Sequence, residues 1–103
     1  MPLIGVATIT PIPEHRDAVL AALLESIPAV HEEPGCDLYS LHESKTAFVI
    51  IEQWADGEAL QAHGAGENFR ALTAALDGLL AEPLDVKILK PVPAGTSGQG
   101  QLV

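Results

Sequence analysis

The side chain best suited to acid–base chemistry in this sequence is a histidine in an apolar helical segment. His63 follows Leu60 by three residues and Ala59 by four, so in a helix it lies on the face that points toward the core. A partly buried imidazole could take a proton from a phenol or an enol, or donate a hydrogen bond to the resulting oxyanion. The alternative is a structural histidine that is hydrogen-bonded inside the fold.

Glu52 and Tyr39 are the candidates to act beside this histidine. Glu52 shares strand parity with Trp54 in an otherwise apolar segment, so a buried Glu52 needs a partner, such as His63, or a raised pKa. The Tyr39 hydroxyl stands at the end of an apolar ring and could donate a hydrogen bond to a substrate carbonyl. An exposed Glu52 and a Tyr39 hydroxyl that only reaches the sheet edge are the alternatives.

Three further side chains are candidate contacts for a substrate. Trp54 and Phe69 could form the walls of a site for a flat aromatic ring, because aromatic rings stack favourably. Both are equally typical of ordinary core packing. His42, at the end of a predicted strand, is a third candidate for the same site.

The spacing of the other polar residues argues against several familiar chemistries. No two of the four histidines have i,i+4 or His-x-His spacing, and Cys36 is the only cysteine, so no metal-ligand pattern is present and no internal disulfide is possible. Gly64 and Gly66 lack the third glycine of a dinucleotide fingerprint, and no G-x-S-x-G motif occurs. We therefore expect neither a metal nor a cofactor.

Length and charge restrict the class of protein and its partners. The 103 residues are enough for one compact domain. Fourteen acidic residues against five basic ones give a net charge of −9, which repels nucleic acid and anionic lipid. The amino terminus lacks a basic signal region and the purest apolar run, 18–24, is too short to cross a membrane. We predict a cytoplasmic protein without nucleic-acid or membrane partners.

Hydrophobic periodicity predicts the elements that position these side chains. Strands are predicted over 3–10, 36–43, 47–54 and 84–90, and a helix over 14–30. A second helical region runs from 57 to about 79 and is interrupted at 64–66. The order β-α-β-β-α-β indicates an α+β, ferredoxin-like fold, in which two helices cover one face of a four-stranded antiparallel sheet. Residues 1–93 form this domain, and the charge-free segment 94–103 is a flexible tail or an arm across a partner.

The third predicted strand is apolar on both faces. Phe48 and Ile50 share one parity, whereas Val49 and Ile51 share the other. Because the two helices cover only one face of such a sheet, the other face needs a different cover. We predict a homodimer in which two sheets pack face to face.

A set of these residues resembles the antibiotic biosynthesis monooxygenase family over residues 3 to about 92. The resemblance is carried by Glu33-Pro34-Gly35-Cys36, Tyr39, Leu41-His42, Phe48, Glu52-x-Trp54, Ala62-His63 and Phe69. It implies a dimeric α+β barrel. The family includes cofactor-independent monooxygenases that oxidise anthrones or quinols, a signalling-sugar isomerase and relatives that degrade haem, so the resemblance alone does not fix the reaction.

The resemblance and the inward His63 together favour a cofactor-independent monooxygenase that oxidises a small electron-rich aromatic with O2. His63 would be the base or donor, and Tyr39 and Glu52 would orient it or the substrate. Trp54 and Phe69 would hold the ring.

Two alternative functions of the same fold stay open. One is a non-oxidative isomerase or a module that binds a small metabolite. The other is haem degradation, from which the sequence departs: Thr73 stands where the related enzymes have the axial histidine, His63 stands where they have a tryptophan, and strand one contains no asparagine.

Overall fold

The structure is a computed structural model that describes residues 1–102. It contains the four predicted strands and three helices, because the second helical region is divided in two. A short 3₁₀ turn, Pro13–His15, precedes the first helix. The elements in chain order are β1 (Leu3–Ile9), α1 (Arg16–His31), β2 (Cys36–Glu43), β3 (Phe48–Trp54), α2 (Gly57–Ala65), α3 (Glu67–Leu76) and β4 (Asp85–Leu89).

The sheet has the strand order β2-β3-β1-β4, and every neighbouring pair is antiparallel. The helices pack on one of its faces, and the core lies between them and the sheet. This is the α+β ferredoxin-like fold that the periodicity predicts. The largest fully buried side chains come from β1, β3 and α1: Trp54, Phe48, Ile9, Leu23, Ile50, Val19 and Val30.

The division of the second helical region follows from two local signals. Asp56 begins α2, because its carboxylate accepts a hydrogen bond of 2.8 Å from the backbone N–H of Ala59. Gly66 ends α2 in an extended conformation and at the same time precedes the first residue of α3. The chain therefore turns at Gly66, and the two short helices meet the sheet separately.

The last strand is shorter than predicted, and it is exposed. It covers Asp85–Leu89, and all five residues are exposed, although Val86 and Ile88 point to the face on which the helices pack. Their side chains are 44% and 48% exposed because no helix extends over this edge of the sheet. Residues 90–102 contain neither helix nor strand. Within residues 1–102, no helix is both long and apolar enough to cross a bilayer.

Candidate active site

A cavity of about 260 Å³ lies between the sheet and the helices α2 and α3. Its lining is almost entirely apolar, and its polar side chains are Tyr39, Glu52 and His63. Gly64, Val86 and Ile88 are lining residues that are also exposed, so they mark the side on which the cavity reaches solvent. The other lining residues are Ala7, Ile9, Ile50, Leu60, Phe69, Leu72 and Leu84.

The register of the strands places Tyr39 and Glu52 next to each other at one end of the cavity. Tyr39 on β2 and Gly5 on β1 are the partners of Glu52 on β3. A Cβ atom at Gly5 would lie 3.2 Å from the Glu52 Oε1 atom and 3.4 Å from its Cβ atom. A glycine at this position therefore leaves the room that the Glu52 carboxyl group occupies.

His63 is buried, with 5% of its surface exposed, and its orientation is fixed by a carboxylate. Its Nδ1 atom lies 2.9 Å from Oε1 of Glu33, and Asn68 donates a hydrogen bond of 3.0 Å to the other oxygen of Glu33. Since a carboxylate only accepts hydrogen bonds, Nδ1 of the imidazole carries a proton. In the neutral ring Nε2 then holds the free lone pair.

The Nε2 atom has no hydrogen-bond partner among residues 1–102. The same is true of the Tyr39 hydroxyl. Among residues 1–102, the only fully enclosed side-chain oxygen or nitrogen without a hydrogen-bond partner is Gln53 Oε1. The Nε2 atom of His63 and the Tyr39 hydroxyl are therefore not fully enclosed by protein. Because His63 and Tyr39 both line the cavity, these two atoms are available to a molecule inside it.

Aromatic rings surround the His63 imidazole. Trp54 is stacked on it, with ring centroids 4.6 Å apart and an interplanar angle of 29°. Tyr39 and Phe69 meet it edge-on, each with a centroid separation of 5.7 Å. The imidazole is therefore held in one plane by packing as well as by Glu33.

The Pro34-Gly35 turn brings Glu33 to this imidazole. Gly35 has a φ of +80°, and a Cβ atom there would lie 2.5 Å from the Cβ atom of Ala59 on α2. Its carbonyl also accepts a hydrogen bond of 2.8 Å from Ala55. Only a glycine allows so close an approach with this backbone conformation, and the approach places Glu33 beside α2.

Glu52 is buried, but its partner is not the one that the sequence suggests. Only 4% of Glu52 is exposed, and its Oε1 atom accepts a hydrogen bond of 2.9 Å from the Trp54 indole N–H. The carboxylate that holds His63 is Glu33 instead. Burial raises the pKa of Glu52 and the nearby Glu33 adds to the rise, while the Trp54 hydrogen bond and the charge of His63 oppose it.

Burial has the same effect on Tyr39. It raises the pKa of the phenol above its usual value, and the nearby charges of Glu52 and Glu33 raise it further. Tyr39 therefore keeps its proton and is a hydrogen-bond donor toward the cavity over the physiological pH range.

Of the three side chains predicted to contact a substrate, only Phe69 lines the cavity. Trp54 does not: it is fully buried behind His63, so its role as a wall for the substrate is corrected to a support for the imidazole. His42 is also placed elsewhere. It lies exposed on the opposite face of the sheet, where its Nε2 atom is 3.0 Å from the Ser40 hydroxyl, because its parity on β2 is opposite to that of Tyr39.

Glu33 and Asn68 are the site residues that the sequence did not single out for chemistry. Glu33 is 30 residues from His63 and Asn68 is 35 residues from Glu33, so no spacing rule connects them. The Pro34-Gly35 pair was the available signal, because it indicates a tight turn directly after Glu33.

Two further features bear on metal and haem chemistry. Among the described residues, no three His, Cys, Asp or Glu side chains converge in a way that could hold a metal ion. Thr73 is exposed on α3, where its hydroxyl donates to the Arg70 carbonyl, and it does not line this cavity.

The site thus combines an apolar cavity with a histidine held by a carboxylate, on an α+β sheet domain. The family model of antibiotic biosynthesis monooxygenases matches residues 2–75. The chain belongs to this family, as its sequence pattern indicates.

The chain is also similar to individual proteins. The Escherichia coli protein named "Probable quinol monooxygenase YgiN" is 30% identical over 88 residues, covering 75% of this chain and 84% of that protein. An uncharacterised Synechocystis protein is 29% identical over 86% of this chain, which spans only 63% of that protein's length. The structure of Rv0793 from Mycobacterium tuberculosis superimposes with a TM-score of 0.86 at 28% identity, covering 93% of this chain and all of that one.

Proposed function

We propose that this protein is a cofactor-independent monooxygenase that oxidises a small electron-rich aromatic, such as an anthrone or a hydroquinone, with O2. The observation that carries the proposal is the state of His63: its Nδ1 atom is tied to Glu33, and its Nε2 atom is free at an apolar cavity. This arrangement suits a general base for a phenol or an enol.

The protein's part in the reaction is to create and protect a substrate anion. Nε2 of His63 accepts the proton of a substrate hydroxyl or enolisable C–H, and Glu33 stabilises the imidazolium that forms. The electron-rich anion then passes an electron to O2 and the two radicals combine. The apolar lining excludes water, which would otherwise compete for the anion.

The electrons balance without a further reductant. An anthrone CH2 group and O2 give a C=O group and water, and a hydroquinone and O2 give a hydroxyquinone and water. In both cases one oxygen atom enters the product, the other leaves as water, and the substrate supplies all four electrons. Phe69 and the aliphatic lining would hold the ring, while Tyr39 donates a hydrogen bond to its oxygen.

Oxygen uptake by the metal-stripped protein, measured with a panel of anthrones and reduced naphthoquinones against the autoxidation blank, tests the proposal. We expect saturable uptake, which falls about 10²- to 10⁴-fold in His63→Ala because the proton acceptor is lost. His15→Ala is the matched control: this exposed histidine precedes α1, and its removal should leave uptake unchanged.

Two results would contradict this function. Full turnover by His63→Ala would show that the imidazole is not the base. No uptake above the blank over the whole panel, together with a rise in melting temperature on adding the same compounds, would favour a binding module or an isomerase of this fold.

We also propose that the protein is a homodimer joined through the sheet face opposite the helices. Val6, Val49 and Ile51 lie on this face and are half-buried, and the Gln53 Oε1 atom there is enclosed without a partner. A second copy would cover these apolar side chains. Light scattering at low micromolar concentration should give twice the chain mass, and Ile51→Glu should give a folded monomer; a monodisperse wild-type monomer would exclude this assembly.

The proposed domain boundary follows the last strand. Residues 1–93 would form the folded unit, with the segment from 94 onward outside it. After removal of this segment, the far-ultraviolet circular dichroism signal of the sheet and helices should be unchanged. A change in oligomeric state would assign the segment to the dimer contact.

A further inference from the structure

Glu52 is the third polar side chain at the cavity, and the proposed reaction assigns it no step. Only 4% of its surface is exposed, and it lines the cavity. Only one of its two carboxyl oxygens has a hydrogen-bond partner. That oxygen is Oε1, which accepts the Trp54 indole hydrogen bond. The Oε2 atom has no partner among residues 1–102, and it is not one of the fully enclosed atoms.

Trp54 determines which oxygen of Glu52 would carry a proton. An indole N–H is only a donor, so the Oε1 atom it contacts must be an acceptor. In the neutral acid the proton is therefore on Oε2, the oxygen that has no partner among residues 1–102. The carboxyl group then presents an O–H donor to any molecule inside.

The surroundings of Glu52 favour the neutral acid. Gly5 on β1 contributes no charge, and the titratable groups that face Glu52 are Tyr39 and Cys36 on β2, His63 on α2, and Glu33 before β2. His63 is the only basic group among them, and Glu33 already holds its Nδ1 proton. A carboxylate at Glu52 would be buried beside a second carboxylate without a cation of its own.

The polar groups occupy one end of the cavity. Glu52 pairs with Gly5 and Tyr39, whereas Ile9 lies four residues further along β1, a distance of about 13 Å. Leu72 and Leu84 complete the apolar lining. A ligand that matches this cavity has an oxygen at the edge that meets the polar end, and unsubstituted hydrocarbon at the edge that meets the apolar end.

We propose that Glu52 acts as a neutral carboxylic acid whose Oε2–H, beside the Tyr39 hydroxyl, donates a hydrogen bond to the single edge oxygen of an aromatic ketone or phenol. This inference deepens the proposed oxygenase, because the same donors would stabilise the oxyanion that forms when His63 removes a proton. The binding step can nevertheless be tested without any oxygen chemistry.

The test compares α-tetralone with tetralin, which has the same carbon skeleton without the carbonyl oxygen, by calorimetric titration of the full chain. Wild type should prefer α-tetralone, and Glu52→Leu should reduce this preference about three- to tenfold through loss of one hydrogen bond. Glu52→Gln should keep it, because the Gln amide can accept from Trp54 and donate into the cavity. Glu25→Gln, at an exposed position of α1, is the control for the loss of one charge.

A pH series from about 5 to about 9 identifies the protonated form. The preference of wild type should fall as pH rises and Glu52 ionises, while that of Glu52→Gln should stay constant. In infrared spectra, a protonated carboxyl stretch that Glu52→Gln removes would give direct support.

Several outcomes would overturn the inference. These are a preference that rises with pH and is lost in Glu52→Gln, a preference that does not respond to Glu52, and the absence of binding of either compound. The failure of the oxygenase is distinguishable: a Glu52-dependent preference for α-tetralone without oxygen uptake would leave this inference standing and contradict the proposed reaction.

Discussion

The two carboxylates near the His63 imidazole lie in different regions, the α1–β2 connection and the middle of the sheet. Glu33 is half-buried in the connection, and each of its oxygens accepts a hydrogen bond from another side chain. Glu52 is buried within β3, with one neutral donor for one oxygen. The difference teaches that two carboxyl groups near one histidine can have different roles, because the hydrogen-bond donors around each of them differ.

The comparison also separates two tasks. A carboxylate in contact with Nδ1 orients the imidazole and stabilises its charge, whereas a carboxyl group that holds its proton is a donor for the ligand. Both groups are needed if the base and the oxyanion donors are to act on the same substrate.

The largest expected effect is on turnover in Glu33→Gln. The Gln amide can donate a hydrogen bond to Nδ1 and so favour the tautomer in which Nε2 carries the proton, which removes the base. We expect kcat with a confirmed substrate to fall about 10²- to 10⁴-fold, as for other carboxylates that orient a catalytic histidine. An unchanged kcat, with the fold verified by circular dichroism, would show that Glu33 has no part in the mechanism. It would also contradict the different roles assigned to Glu33 and Glu52.

The next effect is on stability and concerns the space beside Glu52. Gly5→Ala places a methyl group against the Glu52 side chain, and we expect the free energy of unfolding to fall by about 1–3 kcal/mol in urea titrations. Gly64→Ala is the matched control, because a Cβ atom in this helical position meets nothing within 4 Å and should stabilise by about 0.5–1 kcal/mol. Equal effects of the two substitutions would contradict a tight fit around Glu52.

The smallest effect is the pH dependence of stability in Glu52→Gln. The folded-state pKa of Glu52 is raised, so its contribution to stability is present in full below the unfolded pKa of about 4.3 and is lost as pH rises through the folded pKa. We expect Glu52→Gln to have a higher melting temperature than wild type near neutral pH, with the advantage shrinking toward pH 4. A melting temperature of Glu52→Gln that does not exceed that of wild type at neutral pH would contradict the raised pKa of Glu52.

The sequence predicts the fold well because its periods are local properties. The aromatic and β-branched run from Phe48 to Trp54 identifies β3, and the predicted bounds of β2, 36–43, agree with the observed ones. The register of β2 and β3 places Tyr39 opposite Glu52, so both side chains reach the same cavity.

The site's hydrogen bonds could be predicted only in part. The Glu33–His63 contact depends on the positive φ of Gly35 and on how closely its turn approaches Ala59, which no spacing in the sequence encodes. Trp54 shows a second limit: parity gives the face of a strand, but it does not tell whether a side chain lines a cavity or lies behind another ring.

The exposed last strand has a consequence for how the protein avoids aggregation. One margin of β4 has no neighbouring strand in the described chain, so its main-chain groups could template growth by successive copies into a fibre. The strand is only five residues long, Pro83 and Pro91 flank it, and Asp85 and Lys87 form an ion pair of 2.9 Å on the sheet face opposite the helices. Short length, proline ends and paired charges together limit such growth while Val86 and Ile88 stay available to the cavity.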